Sequence, residues 1–66
     1  MNILDKKIEN VKFLRKYTVY YRNFENVRLE NCFYASDAFE ARLLAIEFNK
    51  YIKDHPNSID LIRCEI

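Results

Sequence analysis

Glycine is missing from this sequence altogether, and proline occurs once. Phosphate-cradling loops and nucleotide-binding turns depend on backbone geometries that glycine adopts at little cost, so both kinds of site are excluded. Long apolar runs are missing too. None approaches the ~20 residues of a membrane-spanning helix, and no secretory h-region follows the N-terminus, so no membrane contact and a cytoplasmic location are expected. Charge of one sign is also lacking. Eleven basic against ten acidic residues leave a net +1, which advertises neither nucleic acid nor anionic lipid as a partner. Cysteine and histidine are scarce: Cys32, Cys64 and His55 are the whole supply. None has the paired spacing of a structural zinc site, and a Cys–His nucleophile has no supporting context. The expectation is a protein without metal, cofactor or catalytic residues, and not an enzyme.

What the chain does have is apolar and aromatic content, with half its 66 residues hydrophobic and ten of them Phe or Tyr. That suffices for one small domain over 1–66, although a chain of this size buries only about 60% of its unfolded surface. No repeat or low-complexity stretch divides it.

The organising stretch is Asp37 to Asp54, DAFEARLLAIEFNKYIKD, which reads as one long helix. Asp37 is placed to cap it, and Glu40 three residues on completes a capping box. Ala38, Ala41, Leu44, Ala45, Phe48, Tyr51 and Ile52 recur at helical spacing as one broad apolar face, with Phe48 at its centre. Asp54-His55-Pro56 stops the helix, since a proline disfavours helical geometry in the residue before it. A second apolar stripe, Phe39, Leu43 and Ile46, runs along the opposite side. Either the N-terminal segment folds back over that stripe, or the stripe is a docking or self-association surface.

Residues 1–14 carry Ile3, Leu4, Ile8, Val11 and Leu14 near helical spacing and are expected to form a short amphipathic helix or a frayed end. Lys16 to Arg22 reads as a strand with Tyr17, Val19 and Tyr21 on one face. Asn23 to Asn26 is a turn in which asparagine takes the place of glycine. Val27 to Ala35 is a second strand, with Val27, Leu29 and Phe33 inward. After Pro56-Asn57-Ser58, Ile59 to Glu65 forms a third, in which Ile59 and Leu61 compete with Ile62 and Cys64 for the inner face. The order over 16–65 is ββαβ, an α+β fold. A right-handed crossover places the third strand beside the first, giving a three-stranded antiparallel sheet of order 2-1-3 with the helix on one face.

The bare face of that sheet carries Tyr20 and Tyr34 among Lys16, Arg22 and Arg28. Tyrosines interleaved with basic groups are one way to stack single-stranded bases. Cross-strand packing accounts for them better, and Glu30 on the same face opposes a polyanion.

Tyr34-Ala35, a cap, Glu40-Ala41, Ala45 and a short last strand bearing Arg63 form a pattern that resembles the small host-RNA-polymerase inhibitors of short-tailed phages. The resemblance covers about the last half of the chain. It implies a ββαβ fold and a non-enzymatic protein that binds the polymerase jaw and blocks transcription. Arg63 matches one of that family's two polymerase-contacting arginines, and Leu61 stands at the other position. The function expected is therefore protein binding through Phe39, Leu43, Ile46 and Arg63, to a partner such as host RNA polymerase or to a second copy. A nucleic-acid module using Lys16, Tyr20, Arg22, Arg28 and Tyr34 is the alternative.

In the expected topology Cys32 and Cys64 lie on the two outer strands, about 10 Å apart across the sheet, whereas a disulfide needs Cα atoms within roughly 7 Å. Thiol titration of the unfolded, unreduced protein should therefore count two free thiols. A count of zero at monomeric mass would refute the strand order.

Overall fold

The computed structural model describes residues 13–66. The expected N-terminal helix over 1–14 lies outside these, apart from Phe13 and Leu14, which are exposed and belong to neither helix nor strand. Strand β1 (Arg15–Arg22) is followed by β2 (Arg28–Ala35), helix α1 (Ala38–Phe48), a second short helix α2 (Lys50–Asp54), one 3₁₀ turn (Pro56–Ser58) and β3 (Ile59–Glu65). The sheet is antiparallel with order β2-β1-β3, so the apolar β1 is central and the helical layer carries the chain across it from one edge to the other.

The hairpin turn works without glycine. Asn26 alone among the described non-glycine residues takes a positive φ, 63°, the left-handed conformation that asparagine tolerates better than most residues. Asn23 supports it. Its side-chain oxygen accepts from the N–H of Glu25 (2.9 Å) and of Val27 (3.0 Å), and its backbone exchanges bonds with Asn26 and Val27.

One side of the sheet faces the helices. Tyr17, Val19 and Tyr21 of β1 lie there, opposite Phe33, Asn31 and Leu29 of β2 and Cys64, Ile62 and Ile59 of β3. Val27, expected inward, lies outside β2 and is exposed. The competition within β3 is resolved by a bulge. Tyr20 pairs with Leu61 but Tyr21 pairs with Ile59, leaving Asp60 extra. The alternation breaks there, so Ile59, Ile62 and Cys64 all face the core while Leu61 turns outward.

At the start of α1, Asp37 accepts from the N–H of Glu40 (2.8 Å) as expected of an N-cap. Glu40 reaches back one residue further than a capping box requires, accepting from the N–H of Ser36 at 2.6 Å.

The single long helix is not observed. Asn49 leaves helical geometry (φ −112°, ψ 112°), donating its N–H to the carbonyl of Ala45 while its side chain accepts from the N–H of Ile52. It therefore ends α1 and begins α2 at one residue. The reading of Phe48 as the centre of the buried face is overturned by its exposure. Phe48 is 69% exposed, while Ile52 is fully buried against Val19 and the rest of the core, Tyr17, Tyr21, Ala35, Ala41 and Ala45. Ala38 also faces solvent. The two buried alanines keep α1 close to the sheet.

Ile52 and Val19 are the largest fully buried side chains. Ile52→Ala should cost about 2–5 kcal/mol, a large part of the stability of a domain this small. Phe48→Ala should cost less than about 1 kcal/mol. Urea titrations of the two variants read the difference directly; equal losses would show that Phe48 is buried as deeply as Ile52.

Candidate functional site

Two surfaces bear the residues singled out by sequence, and they lie on opposite sides of the molecule. The first is the outer side of α1. Ala41 and Ala45 face the sheet, so Phe39 and Leu43 fall on the far side of the helix, 67% and 47% exposed. Ile46 does not complete the stripe. It sits on the shoulder of the helix, half-buried and packed against the core. Phe48 adds an exposed ring at the helix end. Apolar residues thus ring α1 almost all the way round, a pattern more usual for a helix with partners on both sides.

The second surface is the sheet face away from the helices. Strand alternation places Lys16, Thr18, Tyr20 and Arg22 of β1 there, with Arg28, Glu30, Cys32 and Tyr34 of β2 and Leu61, Arg63 and Glu65 of β3. Arg63, expected to act with Phe39, Leu43 and Ile46, therefore belongs to the opposite side from them. At the middle of this face Thr18 is buried, only 3% exposed, and its hydroxyl is engaged on both sides. It donates to Glu65 Oε2 at 2.8 Å and lies 3.6 Å from Cys32 Sγ, whose thiol is then the donor to it. Glu65 also accepts from Arg63, whose Nη2 approaches Oε2 at 3.1 Å and whose Nε donates to the same oxygen at 3.2 Å. A polar chain thus runs from β2 through β1 to β3.

The hydrogen bond from Thr18 holds the Glu65 carboxyl below its ordinary range, with help from Arg63 and Lys16 and against partial burial. Arg63 is held charged more firmly than usual by its hydrogen bond to Glu65, then by that carboxylate's charge. Tyr20 lies between two guanidinium groups, with Arg28 4.3 Å from its ring centroid and Arg63 5.8 Å away. Arg22 is drawn to the sheet end by Asp60 (2.9 Å), the bulged residue of β3. Tyr34 projects, 66% exposed, beside Lys16. The five residues of the alternative nucleic-acid face do share one surface, but Arg22 and Arg63 are each paired with a carboxylate on it.

On the helix side, sequence reasoning missed a polar cluster. The Asn49 side-chain amide donates to the Tyr21 hydroxyl (3.1 Å) and to the Asn31 side-chain oxygen Oδ1. The ring of Tyr51 stacks between Tyr21 and His55, with centroids 6.1 and 4.4 Å apart. Asn31 stands among apolar inward positions of β2, and that break in alternation was the signal available. Cys64 also points to this side, and Cys32 to the other; both are free thiols. Burial, reinforced by a hydrogen bond with Cys64, pushes the Tyr17 phenol above its ordinary value. Among the described residues no group of three or more His, Cys, Asp or Glu side chains could hold a metal ion, and no helix is long and apolar enough to cross a membrane.

Residues 16–65 match a family described as a domain of unknown function (DUF8647), and the chain belongs to that family. The matched segment spans the sheet and both helices. No curated protein and no solved structure matches the chain.

Glu65 has a lowered folded-state pKa, so its contribution to stability is present above the unfolded value and is lost as pH falls through the folded one. Thr18→Val removes the largest cause of the shift. In an NMR titration of the Glu65 carboxyl carbon, the midpoint should move up in Thr18→Val, and acid unfolding should begin at higher pH. An unchanged midpoint would mean that Arg63, not Thr18, sets the shift.

Proposed function

We propose that the chain is a non-enzymatic interaction protein that binds a protein partner through the outer side of α1, with Phe39 and Leu43 as the central contacts and Ile46 at their margin. The observation that carries this reading is the exposure of Phe39 and Leu43 on the side of α1 turned from the sheet, with Phe48 beyond them. Water-facing apolar residues on a helix gain from burial in a partner's groove, and an aromatic–aliphatic pair one turn apart is a usual helical anchor. The helix behind them is capped at both ends and held close to the sheet, so little ordering is required on binding. The sheet face is the weaker candidate for nucleic acid. Glu30, Asp60 and Glu65 offset Lys16, Arg22, Arg28 and Arg63, and two of those cations are already paired. The two thiols, on opposite faces of the sheet, suit a reducing setting such as the cytoplasm.

The resemblance to phage inhibitors makes bacterial RNA polymerase the first partner to try, as the target of a host-takeover protein. It also separates two modes of binding, since Arg63 and Leu43 lie on opposite sides. Binding of purified bacterial RNA polymerase should be measured for the unaltered protein, Leu43→Glu, Arg63→Ala and the pair Tyr20→Ala with Tyr34→Ala. A charge buried without a partner at the centre of the contact should weaken binding about a hundredfold or more in Leu43→Glu. Circular dichroism should stay unchanged, and the sheet-face variants should bind normally. Normal binding by folded Leu43→Glu, with loss in Arg63→Ala, would move the interface to the sheet and overturn the assignment. If the polymerase does not bind at all, that partner is excluded; affinity capture from bacterial lysate with and without Leu43→Glu then tests the helix surface. Affinity for a single-stranded oligonucleotide that falls steeply with salt would favour the alternative reading.

A further inference from the structure

The two edges of the sheet are treated differently. β3 is bulged at Asp60 and carries Asp60, Arg63 and Glu65, features that blunt an edge against further pairing. β2 has eight residues with unbroken register, no bulge and no proline, and its only charges, Arg28 and Glu30, stand in its first half. Among the described residues nothing pairs with its outer side.

The hairpin determines which backbone groups that side presents. The ladder begins with Asn23 N–H donating to Val27 O at 3.1 Å. Antiparallel pairs alternate between hydrogen-bonded and non-bonded, so Leu29, Asn31 and Phe33 bond inward to β1. The N–H and C=O groups of Arg28, Glu30, Cys32 and Tyr34 then point outward.

We propose that β2 pairs antiparallel with β2 of a second copy, on a two-fold axis at Asn31, joining two three-stranded sheets into one. This axis matches the strand to itself. Glu30 and Cys32 of one copy fall opposite Cys32 and Glu30 of the other, and Arg28 falls opposite Tyr34, all of them residues whose backbone groups are turned outward. On the open face each Arg28 guanidinium, already stacked on its own Tyr20 at 4.3 Å, meets the exposed Tyr34 ring of its partner, which extends the cation–π contact across the junction. On the helix face Leu29, 38% exposed, falls opposite the half-buried Phe33. Moving the axis by one residue in either direction is unfavourable. At Glu30 it sets the two carboxylates against each other. At Cys32 it sets Asn31 against Phe33 on the apolar face. The occupant argued for is thus a second copy of this chain; it does not depend on the helix-surface reading above.

The test uses the whole chain in sedimentation equilibrium over a wide concentration range. The unaltered protein should show a monomer–dimer equilibrium. Arg28→Glu alone and Tyr34→Lys alone should each weaken dimerisation about tenfold or more. Together they place opposite charges across the axis and should restore it, with circular dichroism unchanged throughout. A second measurement is independent of these substitutions. With Cys64→Ser, mild oxidation should leave Cys32 unlinked, because residues flanking the axis are diagonal neighbours about 7–8 Å apart. A bismaleimide of short span should join them. A monomer at every concentration, equal weakening in the double variant, or ready Cys32 disulfide formation in the dimer would each overturn the proposal.

Discussion

The side-chain amide of Asn49 ties the helical layer to the sheet. Its nitrogen reaches Tyr21 on the central strand and Asn31 on the edge strand, while its oxygen caps α2 and its backbone N–H closes α1. Replacing it with alanine would remove a cap and leave polar groups of two strands without their partner. Those losses are of order 0.5–2 kcal/mol for a cap and 1–3 kcal/mol for a group left unsatisfied. The break also decides which apolar residues enter the core. It turns Ile52 onto Val19 and leaves Phe48 in water.

The rest of the molecule follows from having one thin helical layer on a three-stranded sheet. Two alanines and one isoleucine are all that the helices bury completely. Leu44 and Ile46 pack at the margin of that core, and Phe39 and Leu43 remain outside. The far face of the sheet is handled by other means. It is closed by a hydrogen-bonded chain through Thr18 and Glu65 and by guanidinium groups laid over Tyr20. Glu30, Asp60 and Glu65 offset most of the positive charge of that face, which is why the surface with the most arginine is not the one favoured for binding.

Much of this architecture could be read from residue chemistry. Strand order, the inward face of β1, the asparagine turn and the Asp37 cap follow from alternation, β propensity and short polar side chains at element ends. The interruption at Asn49 could not be read so. Asparagine disfavours a helix interior only weakly, and apolar spacing runs through it without a gap; the break is set by tertiary partners, Tyr21 and Asn31. The bulge at Asp60 was visible only as an ambiguity, with apolar residues on both faces of the last strand. The burial of Thr18 on an open face depends on neighbours from both flanking strands, which no local pattern reports. Of the candidate site, Phe39 and Leu43 could be located from helical spacing. Ile46 at its shoulder and Arg63 on the other side required the sheet to be in place.

The interruption at Asn49 is the feature on which core, helix phase and exposed surface all depend. NMR of the unaltered protein tests it most directly, through Cα chemical shifts from Ala38 to Asp54 and contacts between side chains. Helical shifts should lapse at Asn49 and resume at Lys50, with strong contacts from the Ile52 methyls to Val19 and none from the Phe48 ring to β1. Unbroken helical shifts through Asn49, with the Phe48 ring in contact with Val19, would contradict it.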